Sequence, residues 1–227
     1  MRIFLLLSIF ICLSCSSKKN ILYVQNSNDI DVDFAYQEYI IQPDDILKID
    51  IGSDNPELIT SINPISVNTG IANNRELLLY NGYRVDKEGY IDFPNFNRFF
   101  VKGLTLSQLT LKFKNEIIEK GIVTNPSVDI KILNSEFTIL GEVNRPGKYD
   151  FIENNLNIFE AIGIAGDLTI NGERASVKVI RDYNNKKSIN EIDLTDINSI
   201  YENYQIFPGD IILINPNTTR VKNAGII

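Results

Sequence analysis

Cys15 is the residue whose setting best suits covalent chemistry. Before it come Arg2, an apolar run from Ile3 to Leu13 broken only by Ser8, and Ser14; Ser16 and Ser17 follow. A positive start, a short apolar core and a small residue at the cut make a signal peptide over residues 1–14, too short to span a bilayer. A small residue directly before cysteine at the end of such a core fits a bacterial lipobox, although Cys12 stands where Leu is usual. Cleavage there makes Cys15 an N-terminal residue carrying acyl chains such as palmitate. One chain binds a membrane marginally, and two or more hold it firmly. The competing reading is an ordinary secretory leader cut after Ser14, leaving a free thiol. Both of the chain's 2 cysteines lie in this leader. Acylation of Cys15 would therefore leave no thiol for a disulfide or a metal. Ser16, with no acidic run after it, fits sorting to the outer membrane with the folded part facing the periplasm. Residues 15–38, polar and rich in Asn and Asp from Tyr23 on, read as a lipidated tether.

Elsewhere the residue types argue against catalysis. The chain has 0 histidines, which removes the commonest general base and metal ligand. No Gly-rich phosphate loop of the required spacing is present. Asp44 and Asp45 are neighbours and point to opposite faces of any strand they extend, so they read as turn residues and not as a glycosidase pair. The net charge of −7 argues against a nucleic-acid partner, which needs clustered Lys and Arg. No catalytic residue, metal site or cofactor is expected. The aromatics Tyr23, Tyr80, Tyr83, Phe96, Phe99 and Phe100 can stack on sugar rings, but read more simply as core or interface packing.

The elements around these residues follow from periodicity. Leu47, Ile49 and Ile51 alternate with Lys48 and Asp50 as a half-buried strand, entered through Pro43 and Asp44. Asp54 to Tyr80 reads as a long excursion with one short strand at Leu77 to Tyr80. Tyr83 to Pro94 reads as a hairpin closed at Glu88-Gly89. Thr105 and Gln108 form a capping box, and Leu106, Leu109, Phe113 and Ile117 line one helical face up to Lys120-Gly121. Leu111 and Ile118, seven apart, make a second stripe that meets a neighbouring subunit or is covered by a loop of the same chain. Val128, Ile130 and Ile132 alternate as a strand. Beyond Ser135, strands at 137–143 and 148–151 flank Asn144-Arg145-Pro146-Gly147, and a short helix starts at Asn157 with Glu160 at its third position. Strands follow at 177–181 and 188–193. Ile211 to Ile214 reads as a strand buried on both faces. The approach to it, Ile206-Phe207-Pro208-Gly209-Asp210-Ile211, echoes Ile41-Gln42-Pro43-Asp44-Asp45-Ile46.

In chain order, Cys15, Pro43-Asp44-Asp45, Val85 to Pro94 (with Gly89), Val101-Lys102-Gly103-Leu104-Thr105-Leu106, Asn125 to Val128, Leu140 to Tyr149 (with Pro146-Gly147) and Pro208-Gly209-Asp210 together resemble the polysaccharide biosynthesis/export family of outer-membrane lipoproteins, the Wza type. The resemblance runs from about Tyr39 to Pro216. It implies an α+β fold of two small domains. The first, 39–133, is a polysaccharide-export domain with a mixed sheet and one long helix. The second, 135–216, is a soluble-ligand-binding β-grasp (SLBB) domain, followed by a tail at 217–227. It further implies a homo-oligomeric ring through which capsular polysaccharide or exopolysaccharide passes outward passively. The implied partner is an inner-membrane chain-length regulator with tyrosine-kinase character.

The chain departs from the family in having Asp44 where Gly is usual. It also stops at Ala224-Gly225-Ile226-Ile227, where relatives continue into a membrane-crossing segment, so the expectation is a ring without its own pore. A non-transporting periplasmic glycan-binding or scaffold lipoprotein is the alternative, and a carbohydrate-active enzyme a third reading.

Overall fold

The computed structural model describes residues 21–25, 36–55, 57, 79–153, 155–183, 186–202, 204–218, 221 and 225. Cys15, most of the excursion after Asp54 and most of the C-terminal tail lie outside the described residues, although Leu79 and Tyr80 are helical where a strand was expected. The first domain runs β1 (Ile46–Gly52), β2 (Tyr83–Arg84), β3 (Tyr90–Phe93), β4 (Asn97–Phe100), α1 (Leu106–Glu119) and β5 (Ser127–Ile132). Its main sheet has the order β2-β1-β5. Both pairings are antiparallel, where a mixed sheet was expected. Alternation sends Leu47, Ile49, Ile51, Ile130 and Ile132 into the core and leaves Lys48, Asp50, Asp129 and Lys131 outward as same-strand ion pairs. Helix α1 closes the inner face with Leu109, Phe113 and Ile117 buried and Leu106 half-buried. Its start is the capping box read from sequence. The Gln108 N–H donates to Thr105 Oγ1 at 3.2 Å, and the Thr105 N–H donates to Gln108 Oε1 at 3.0 Å.

The expected hairpin at 83–94 is rearranged. The Gly89 N–H does donate to Asp86 O, so the turn exists. Tyr83 and Arg84, however, pair with β1, and β3 pairs onward with β4. The cause is aromatic. Phe96 and Phe99 are buried with Phe93 and Phe113, and Phe99 stacks on Phe113 at 4.3 Å. Doubling the chain back after Pro94 is what brings them there.

The second domain contains β6 (Glu136–Gly141), β7 (Gly147–Asp150), β8 (Leu156–Asn157), α2 (Ile158–Ile164), β9 (Gly172–Tyr183), β10 (Lys186–Ile192), α3 (Ile197–Glu202), β11 (Gln205–Ile206) and β12 (Ile211–Pro216). The five-stranded sheet has the order β10-β9-β12-β6-β7. It is mixed: β12 is parallel to β6 and antiparallel to β9. Phe137, Ile139, Val177, Val179, Ile212 and Ile214 face a separate core shared with α2 residues Ile158, Ala161 and Ile162. The capping box of Asn157 and Glu160 forms as read.

Strand β12 corrects one expectation. It is central, but only one of its faces is covered. Ile211 is 36% exposed and Leu213 half-buried, because α2 and α3 supply core residues to the side facing Ile212 and Ile214. The open face also carries Ile180, Ile189 and Leu140 in register with these residues.

Candidate functional site at the domain junction

The two echoing segments form the same turn. In the first, the Gln42 N–H donates to Asp45 Oδ2 at 2.8 Å and the Asp45 N–H returns to Gln42 O at 3.3 Å. In the second, the Phe207 N–H donates to Asp210 Oδ2 at 2.8 Å and the Asp210 N–H returns to Phe207 O at 3.1 Å. Proline presets the second position of each, and the third has positive φ: +72° at Asp44 and +87° at Gly209. Asp44 therefore occupies, as a non-glycine residue, the left-handed position that its counterpart fills with glycine.

The turns meet where the chain passes between the domains. The Tyr39 and Phe207 rings lie 6.3 Å apart, and the Arg181 guanidinium sits 4.2 Å over the Phe207 ring. Gln205 acts as a strand partner for the incoming chain, accepting from the Gln37 N–H at 2.7 Å and donating to Gln37 O at 3.1 Å. Asn134, in the connection to the second domain, accepts from the Ile46 N–H at 2.8 Å and donates to Asp44 O at 3.1 Å. A cavity of about 290 Å³ opens here, lined by Gln37, Tyr39, Gln42, Arg181, Ser188 and Phe207, among others. A smaller one of about 70 Å³ shares the Tyr39 and Phe207 walls.

The two acids differ electrostatically. Asp210 is fully buried and gripped by Arg181, with Nε at 2.8 Å from Oδ1 and a terminal nitrogen at 2.7 Å from Oδ2. Burial raises its pKa, while Arg181 pulls it back down. Asp45 is also buried and takes the Tyr39 hydroxyl at 3.1 Å. Burial pushes its carboxyl up to about 6, against the hydrogen bonds from Gln42 and Tyr39. The Tyr39 hydroxyl is in turn held protonated well above its usual range by burial and by Asp45. Aromatic faces, planar amides and a guanidinium around a cavity suit a polar ring-shaped ligand. Among the described residues, no three His, Cys, Asp or Glu side chains gather as a metal site.

Of the residues singled out from sequence, the structure brings Pro43, Asp45, Pro208, Gly209 and Asp210 to this junction. Gly103 lies close by, its N–H donating to Ile41 O at 3.0 Å. Gly89 sits in the first-domain turn under the Lys102 side chain, and Pro94 links β3 to β4. Pro146 and Gly147 form the turn into β7. Sequence reasoning missed Tyr39, Arg181 and Gln205. The one available signal was Asp210, a buried acid that needed a cation from elsewhere in the chain.

The family model described as polysaccharide biosynthesis/export protein matches residues 35–133, and that of the SLBB domain matches residues 137–190. Residues 35–133 are similar to the polysaccharide biosynthesis/export family and residues 137–190 to the SLBB domain. The junction just described is thus the seam between its export domain and its SLBB domain. No helix among the described residues is long and apolar enough to cross a membrane.

Proposed function

We propose that this protein is a lipid-anchored component of a capsular or exopolysaccharide export assembly. It is held in the outer membrane through Cys15, faces the periplasm, and forms a homo-oligomeric ring that conducts glycan without altering it. The observation that carries this reading is the export domain followed directly by an SLBB domain. The leader ending at Ser14-Cys15 supports the anchor. The outer stripe of α1, with Leu111 60% and Ile118 48% exposed, supports a subunit contact. An inner-membrane chain-length regulator with tyrosine-kinase character completes the path. Sizing the detergent-extracted native protein tests the ring, and a monomer would refute it. Cys15→Ala should release the protein into the soluble periplasm. Reducing-end release from glycan by the purified protein would refute passive conduction.

The cavity between Tyr39 and Arg181 favours a second reading, a glycan-binding scaffold that does not transport. A monomer that binds glycan, with binding lost on Tyr39→Ala, would establish it instead.

A further inference from the structure

Within the stretch read as a lipidated tether, residues 21–25 are docked. The Val24 and Gln25 N–H groups donate to Leu194 O and Thr195 O at 3.0 and 2.8 Å. The Tyr23 ring stands edge-on to Phe159 at 5.9 Å, beneath the Arg174 guanidinium at 5.0 Å, and its hydroxyl donates to Asp167 at 2.6 Å. Arg174 is itself buried and bound to the carbonyl oxygens of Thr169 and Gly172. Residues 21–25 are therefore a strap on the SLBB domain, held by the backbone at Leu194–Thr195, by Phe159 and Arg174, and by Asp167 in the loop that follows α2.

That grip fixes which domain lies near the lipid. Resting on the Cys15 anchor proposed above, the link from Cys15 to Ile21 spans six residue steps, about 20 Å at full extension. A domain of this size is roughly 30 Å across. The link is shorter than the domain it is tied to, so it cannot pass the SLBB domain to hang the export domain at the bilayer. The gripping loop and the strap also carry exposed apolar side chains: Ile170 is 70% exposed, Leu22 is 52% exposed, and Ile164, which ends α2 six residues before Ile170, is 37% exposed. Single exposed apolar residues mean little on their own. Within reach of an acyl anchor they become contacts for lipid. We propose that the strap and the Ile164–Ile170 segment of the SLBB domain form a surface that rests on the phospholipid membrane, with the export domain pointing away from it.

The test uses the full lipidated chain in phosphatidylethanolamine/phosphatidylglycerol vesicles. Bimane is placed at Ile170→Cys or, as a control, at Lys87→Cys in the export-domain turn. Brominated lipid should quench the label at position 170 by about twofold and leave that at 87 unchanged. Adding Tyr23→Ser, which frees the strap, should abolish quenching at 170 while the protein still floats with the vesicles. Flotation without quenching at 170, or quenching that survives Tyr23→Ser, overturns this surface and leaves the anchor standing. Failure to float overturns both.

Discussion

Arg181 grips Asp210 with two parallel hydrogen bonds, whereas Asp45, in the matching turn of the export domain, is held by the Gln42 N–H and a tyrosine hydroxyl. Among the described residues one buried acid has a cation and the other does not, and the two should answer differently to mutation. Arg181→Ala leaves the Asp210 charge buried and uncompensated, which costs about 3–5 kcal/mol. Pairing it with Asp210→Asn should recover part of that loss. Urea unfolding of the two variants checks both.

For Asp45 the prediction is a pH dependence. Its carboxyl lies at about 6 when folded, against 3.8 as the ordinary value. The folded state thus holds a proton that the unfolded state has released, and this residue costs stability progressively from about pH 4 to about pH 6. The full cost, about 3 kcal/mol, is present above pH 6. Asp45→Asn keeps an acceptor for the Gln42 N–H and removes the titration. The variant should therefore gain on the wild type as pH rises through this window. Equal pH profiles for the two proteins would contradict the assignment.

Two glycines should separate backbone strain from collision. Gly209 has φ +87°, and no neighbouring atom lies within 4 Å of where a Cβ would stand, so Gly209→Ala costs only its left-handed conformation, about 1–2 kcal/mol. At Gly141, φ +97°, a Cβ would come within 1.9 Å of Ile214 O on the adjacent β12. Gly141→Ala should cost more than about 4 kcal/mol or prevent folding, because neither backbone can move aside. Thermal unfolding of both variants gives the comparison.

Leu111→Glu and Ile118→Glu place charge on the outer stripe of α1, on the opposite side from Phe113. Each should leave the isolated subunit within about 0.5 kcal/mol of wild-type stability in a thermal melt. Each should also dissociate the detergent-extracted assembly on a sizing column. Assemblies that stay intact would assign the ring contact to another face.

Much of this fold is legible in the sequence where one local rule decides. The capping boxes at Thr105 and Asn157, the alternation of β1 and β5 and the mirrored proline turns all follow from residues within a few positions of each other. The failures lie where distant packing decides. Phe96 and Phe99 draw β4 out of what reads as a loop, and Ile197 to Tyr201 forms α3 from a stretch without clear periodicity. Ile211 and Leu213 read as doubly buried because an apolar run does not show how many layers cover it. The junction was half legible. Asp45 and Asp210 stand out through their turns, but Arg181 is 29 residues from its partner and Gln37 is 168 from Gln205, and no spacing rule reaches that far.

The grip of Tyr23 on Asp167 joins residues 144 positions apart. A ribosome adding 5–20 residues per second needs on the order of ten seconds between making one and making the other. The strap is therefore synthesised well before the SLBB domain it docks on and is seated only after that domain is made. For nearly all of that interval Tyr23 has neither Phe159 nor Arg174 to pack against and is free for a chaperone to hold.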